Sequence, residues 1–264
     1  MKYGISNLSV IPVRKEASET SEMVTQILFG ECFEILTESK SWASVRLAYD
    51  GYECYIDKKM YLDINKDYYH KWQEETHVST TDLFSIVYQE NREAPVFIPP
   101  GSTLPFANRK KKEFILGKEK YNFYGDLPEF NSSKLRSHIV EIAKNYLNSP
   151  YLWGGKSPYG IDCSGFTQVL YKICNIKIPR DASQQVNLGK TLNFINEAQA
   201  GDLAFFDNDE GSITHVGMYL GDGKIIHASG KVRIDTLDHQ GIYNLDTRRY
   251  SHKLRVIQSI IIAE

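Results

Sequence analysis

The chain has 264 residues, 42% hydrophobic and 24% charged, an ordinary globular composition whose length suggests roughly two domains. A formal net charge of -2 provides no field to steer it onto nucleic acid or anionic lipid, so neither is an expected partner. No apolar run approaches the roughly 18 residues of a membrane span.

The opening stretch MKYGISNLSVIPVRK lacks the apolar region of a secretory signal, so the chain as written is expected in the cytoplasm. An export signal removed ahead of it would place the protein in the periplasm or cell envelope instead. The four cysteines, Cys32, Cys54, Cys163 and Cys174, show no CxxC spacing and are too few for a disulfide framework. The basic cluster Arg109-Lys110-Lys111-Lys112 reads as a solvated turn.

From Ile5 to about Asp63, short β-type runs broken by turns predict a small barrel or sandwich. The polar and aromatic segment 65–76, NKDYYHKWQEET, is expected to bridge to a second unit. A similar grammar returns from Val78 to about Asp126, giving two small β units at 1–65 and 77–128. At Ser132 the period changes to 3.6: Leu135, Ile139, Ile142, Ala143 and Tyr146 form one stripe, opened by serines suited to an N-cap. This begins a third unit, α+β, over 132–264. Its second helix is expected to start at Cys163, behind Asp162. The runs AGDLAFFD, ITHVGMYLG, KIIHASG and LRVIQSIIIA read as strands of one antiparallel sheet.

Cys163, within GIDCSGF, is either a small buried hydrophobe or a nucleophile. At the first turn of a helix a thiol meets unpaired N–H groups and the positive end of the dipole, which favour the thiolate. Cys174, Cys32 and Cys54 read as core or strand residues. The candidate bases are His215 and His227. If GDG is a three-residue hairpin loop, Leu220 pairs with Lys224, His215 falls opposite Ser229, and the two histidines share a face as diagonal neighbours. One imidazole then takes the thiol proton while the other orients it. Two alternatives stay open: a sheet surface that happens to carry two histidines, and zinc held by Cys163, His215 and His227. The absence of closely spaced ligand pairs speaks against zinc.

The stretches YLWGGKSPYGIDCSGF, IPRDASQQ, AGDLAFF and THVGMYLGDGKIIHASG together resemble the NlpC/p60 cell-wall peptidases over roughly residues 132–264. The resemblance implies a papain-like cysteine hydrolase acting on peptidoglycan peptides. The two β units look like bacterial SH3-like (SH3b) domains, so the whole chain resembles γ-D-glutamyl-L-diamino acid endopeptidases of the dipeptidyl-peptidase VI type. By that resemblance Cys163 is the nucleophile, His215 the base, His227 the orienting residue, and Tyr151 the hydroxyl beside the oxyanion site. Asp162 and Ser164 correspond to neighbours that help hold the peptide. Arg180 reads as structural and Ser183 as a wall of the groove. Glu31 and Tyr52, chosen by motif similarity, are candidates to hold the free amine of the substrate alanine.

The chain departs from the family pattern at EAQAGD, where a proline often precedes the glycine, and at Cys54-Tyr55, where the first β unit closes with CYI. The implied reaction is hydrolysis of the γ-D-glutamyl bond to the diamino acid, releasing L-Ala-D-Glu, by a monomer with no metal or organic cofactor. Two rivals come from other classes: a wall-binding protein with an inactive catalytic domain, and an acyltransferase or amidase on the same scaffold.

Overall fold

The computed structural model describes residues 1–90, 92–127 and 132–261. It divides into two compact units, Met1–Phe130 with Trp153–Pro158, and Asn131–Leu152 with Tyr159–Glu264.

The first unit holds a seven-stranded antiparallel sheet in the order Met23–Leu28, Val10–Arg14, Glu53–Asp57, Trp42–Leu47, Cys32–Glu38, Lys2–Ile5, Leu62–Ile64. Alternation drives it: Ala43, Val45 and Leu47 point inward from Trp42–Leu47 and meet Ile11, Val13, Phe33 and Ile56 in one apolar cluster. A four-stranded sheet follows, in the order Pro95–Ile98, Ser85–Gln89, Glu119–Tyr124, Glu113–Leu116. The segment expected as a bridge holds the helix Lys66–Glu74, capped by the Asn65 side chain on the Tyr68 N–H. Tyr69 and Trp72, three residues apart, lie on one face and bury into a second cluster with Tyr3, Phe29, Val87, Phe114 and Tyr121. The two sheets therefore share a core. Gly30 makes this possible: it has φ +77°, and a Cβ there would lie 1.9 Å from the Thr103 carbonyl oxygen. The cluster Arg109–Lys112 sits on an exposed turn, with Lys110 and Lys111 N–H groups donating to the Asn108 side chain.

The second unit is α+β. A 3₁₀ turn, Ser132–Lys134, precedes the helix Leu135–Asn145, and Lys134 stands at the cap without a side-chain bond, so the expected serine cap is displaced by that extra turn. The expected stripe holds, with Ile139, Ile142, Ala143 and Tyr146 buried. The helix Cys163–Ile173 begins where the sequence places it, but it is buried on all sides rather than along one stripe. It packs against strands Ile213–Gly221 and Lys224–Ser229 and against Leu135–Asn145.

The antiparallel sheet runs Lys190–Leu192, Arg249–Ser259, Leu203–Asp207, Ile213–Gly221, Lys224–Ser229, Lys231–Leu237, Gly241–Asn244. Arg249–Ser259 also pairs with Gly241–Asn244, so the sheet closes on itself. The last expected strand ends at Ser259; residues 262–264, like residue 128 at the end of the second β unit, lie outside the described residues. Among the described residues no helix is long and apolar enough to cross a membrane.

Candidate active site

Cys163 opens its helix because Asp162, in extended conformation, caps it: the Gly165 N–H donates to the Asp162 carboxylate at 2.6 Å. The carboxylate is also held by Arg180, whose Nη1 donates to Oδ1 at 3.0 Å and whose Nη2 donates to Oδ2, while Nη1 reaches Ser164 Oγ at 2.8 Å. Asp162, Ser164 and Arg180 are all buried. Gln185 ties the same turn down by donating to the Ser164 carbonyl at 3.0 Å. The acid beside the cysteine is thus a cap and an ion-pair partner, which fixes the helix start rather than leaving a bare charge at the sulfur.

The backbone N–H groups of Val216 and Ser164 face the Cys163 sulfur. Burial, then the Asp162 carboxylate, pushes the thiol up to about 11, outweighing those N–H groups and Arg180. Burial thus works against the helix N-terminus, whose N–H groups favour the thiolate as expected, and the net direction at this site is toward the thiol. Tyr151 is positioned by a parallel bridge to Ile161 and by its N–H, which donates to the Gly230 carbonyl at 3.0 Å. Burial, with the Cys163 and Asp162 charges, pushes its hydroxyl up to about 12, so it remains a donor.

The strand before the turn carries His215, and the one after it carries His227. Gly221 pairs with Lys224 around Asp222-Gly223, and Leu220 is the bulged residue instead of the partner of Lys224. The bulge restores the expected register, since Tyr219 faces Ile225 and Met218 faces Ile226. Gly217 then lies against His227, where a Cβ would come within 2.8 Å of the His227 Cβ; only glycine leaves room for the imidazole. His215 and His227 come together, Nε2 to Nδ1, at 2.8 Å.

Sequence reasoning missed Asp235. Its Oδ2 lies 3.1 Å from His227 Nε2, both side chains being fully buried. Arg233 Nε donates to Oδ2 at 2.6 Å, Arg233 Nη2 to Oδ1 at 2.9 Å, and the Leu245 N–H to Oδ1 at 3.0 Å. Burial pushes this carboxyl up, but His227, Arg233 and Leu245 more than offset it and hold it well below the usual carboxylate range. An ionised Asp235 only accepts, so His227 Nε2 carries the proton and Nδ1 accepts from His215 Nε2–H. His215 Nδ1 is left as the basic nitrogen. The signal was the acid in KVRIDTL, buried along with Val232 and Leu237 of the same strand, where Asp235 pairs with Ile225, two residues from His227.

His252 was missed as well. Its ring stacks on His215 at 4.1 Å between centroids and 22° between planes. Burial, then His227 and His252, lowers the His215 pKa well below 6.5, so this imidazole is neutral at neutral pH. His215, His227 and His252 each offer a ligand atom within 4.8 Å of the others. The stacked planes and the His215–His227 hydrogen bond suit a proton relay better than convergence on one ion.

Ser183 is exposed on the short helix Ala182–Gln185. Glu31 and Tyr52 belong to the first unit. Glu31 is buried, accepting from the Leu28 N–H at 2.8 Å and pairing with buried Lys156 at 3.5 Å. Tyr52 is half-buried against the apolar cluster of the seven-stranded sheet. Cys32, Cys54 and Cys174 are buried thiols raised by desolvation.

Residues 148–250 match the NlpC/P60 family, and residues 13–59 match the bacterial dipeptidyl-peptidase Sh3 domain. The γ-D-glutamyl-L-lysine dipeptidyl-peptidase of Bacillus subtilis is 32% identical over 217 residues, covering 77% of this chain and 71% of that protein. Dipeptidyl-peptidase 6 of Lysinibacillus sphaericus is 29% identical over 246 residues, covering 83% and 86%. The crystal structure of an NlpC/P60 family protein from Bacillus cereus superimposes with TM-score 0.80 at 22% identity, covering 98% of this chain and 100% of that one. The chain belongs to the NlpC/P60 family, carries one bacterial SH3 domain, and is a cysteine peptidase.

Proposed function

We propose that the protein hydrolyses murein peptides with a free N-terminal L-alanine, cutting the γ-D-glutamyl bond to the diamino acid and releasing L-Ala-D-Glu. The names of its relatives support the substrate class. The observation that carries the chemistry is the hydrogen-bonded series His215–His227–Asp235 beside a helix-opening cysteine.

Substrate meets a neutral thiol and a neutral imidazole. His215 Nδ1 takes the Cys163 proton as sulfur attacks the carbonyl carbon, and the imidazolium is stabilised through His227 by the Asp235 charge. The Cys163 N–H and the Tyr151 hydroxyl donate to the oxyanion. His215 returns the proton to the leaving amine, and water activated by the same nitrogen hydrolyses the thioester. Ser183, with the turn at Asp162 and Ser164, borders the peptide in this reading. Glu31 and Tyr52 remain proposals for recognition of the peptide amine, and residues 77–128 for a second SH3b-like unit.

The test is direct. Incubation with L-Ala-γ-D-Glu-L-Lys or its meso-diaminopimelate counterpart should yield L-Ala-D-Glu and the free diamino acid by mass spectrometry. Cleavage at another bond, or none, would overturn the reading.

A further inference from the structure

Within the second unit a cavity of about 480 Å³ is lined in part by Asp207, Asp209, Thr214, His252 and Lys253. Its volume falls in the range of small-molecule sites, roughly 300–1,000 Å³. It lies close to the base by two routes. Thr214 precedes His215 in the chain, and the His252 ring stacks on His215 at 4.1 Å.

One lining residue also carries an unsatisfied acceptor. The Asp207 side chain is 3% exposed, and its Oδ1 has no hydrogen-bond partner among the described residues. Arg255 Nε stands 3.8 Å from the other oxygen, an ion pair beyond hydrogen-bond range. A buried carboxylate oxygen with no donor is unfavourable until a donor arrives.

The direction of the chemistry says what that donor belongs to. His215 must hand its proton to the leaving amine, so the departing residue begins at His215 and extends away from the oxyanion donors. A departing diamino acid carries a side-chain ammonium and a carboxylate. The cavity presents the complement: carboxylates from Asp207 and Asp209 and an ammonium from Lys253. We propose that this cavity is the subsite for the leaving diamino acid, with its side-chain ammonium on Asp207 and Asp209 and its carboxylate on Lys253. The assignment rests on the peptidase reading above. Charge-assisted hydrogen bonds of this kind select strongly against a partner that lacks the charge.

The experiment compares L-Ala-γ-D-Glu-X with X as L-lysine, meso-diaminopimelate or L-norleucine, the last being close in shape to lysine and uncharged in its side chain. Both diamino acids should exceed norleucine in kcat/KM by about tenfold or more, and the larger value identifies the natural leaving residue. Asp209→Asn, at an exposed position, should bring the ratio toward one; Asp207→Asn should do the same, and Lys253→Gln should raise KM for peptides ending in a free carboxylate. Calorimetry with Cys163→Ala reads the subsite without turnover: it should bind free L-lysine or meso-diaminopimelate and not norleucine. Turnover with equal rates for lysine, diaminopimelate and norleucine overturns the subsite and leaves the peptidase reading standing. Binding of the diamino acid without turnover of any peptide overturns the peptidase reading and leaves the subsite. Absence of both overturns both.

Discussion

His227 and Asp235 form a fully buried pair, Nε2 to Oδ2 at 3.1 Å, and this pair decides which nitrogen of His215 is basic. Asparagine at 235 cannot accept from His227, Arg233 and Leu245 at once, because its amide nitrogen is itself a donor. Asp235→Asn should lower kcat by about 10- to 100-fold with KM little changed, the scale for groups that orient a ligand or base from behind. His215→Ala should be nearly inactive, whereas His227→Asn or His227→Gln should be impaired and measurable. Steady-state kinetics on folded variants checks this series. Wild-type kcat in Asp235→Asn would remove the acid from the relay.

The pH profile should be displaced to the acid side. His215 must be neutral to act, and burial with His227 and His252 lowers its pKa well below 6.5. Activity should therefore persist below pH 6.5 and fall only as pH passes the lowered value, with no loss on the alkaline side until Cys163, near 11, begins to ionise. Stability follows the same sign. His252 is lowered to about 4 by burial and then His227. For both groups the unfolded chain binds the proton more tightly, so the stability they contribute is complete above about 6.5 and is lost as pH falls toward the folded values. Thermal melts from pH 7 to 4 should show Tm decreasing. A kcat/KM profile falling at an ordinary histidine pKa would contradict the burial argument.

Arg180 and Asp162 are a buried pair shared by the helix cap and Ser164. Removing one partner leaves an uncompensated charge, a loss of about 3–5 kcal/mol. Arg180→Ala should lower the denaturation midpoint accordingly and weaken turnover by freeing the Cys163 turn. A midpoint within error of wild type would show that the pair contributes little.

Much of the second unit was legible. The helix start at Cys163, the stripe from Ile139 to Tyr146 and the face shared by His215 and His227 follow from period and hairpin register. The turn itself was not: the bulge at Leu220 sets the same register as a longer loop would, so the sequence pattern fits both. Asp235 was within reach of the pattern, since Lys231–Leu237 pairs with Lys224–Ser229 across the turn at Gly230, whereas His252 sits on Arg249–Ser259, whose pairing with Leu203–Asp207 is long-range and marked by nothing local. The thiol's raised pKa was hidden for a different reason, since burial is a property of packing and the dipole argument sees only the helix. In the first unit, the polar look of NKDYYHKWQEET concealed a helix because two aromatics at one spacing, Tyr69 and Trp72, supply its entire buried face.

A free N-terminus on the substrate should be required. Recognition of an ammonium is worth about 1.5–3 kcal/mol per charged hydrogen bond, so N-acetyl-L-Ala-γ-D-Glu-L-Lys should be cleaved with kcat/KM lower by about tenfold or more. Equal rates on free and acetylated peptides would indicate an open groove suited to intact wall, and would end the reading of the enzyme as one that acts on released peptides.

Cys163 should form a thioester with the γ-carbonyl of the substrate. Acid-quenched reactions of the wild-type protein with L-Ala-γ-D-Glu-L-Lys, digested and read by mass spectrometry, should show the L-Ala-D-Glu acyl group on the peptide containing Cys163. Cys163→Ala should show neither the adduct nor turnover while keeping its circular dichroism spectrum. An adduct on another residue, or turnover retained in folded Cys163→Ala, would contradict the account.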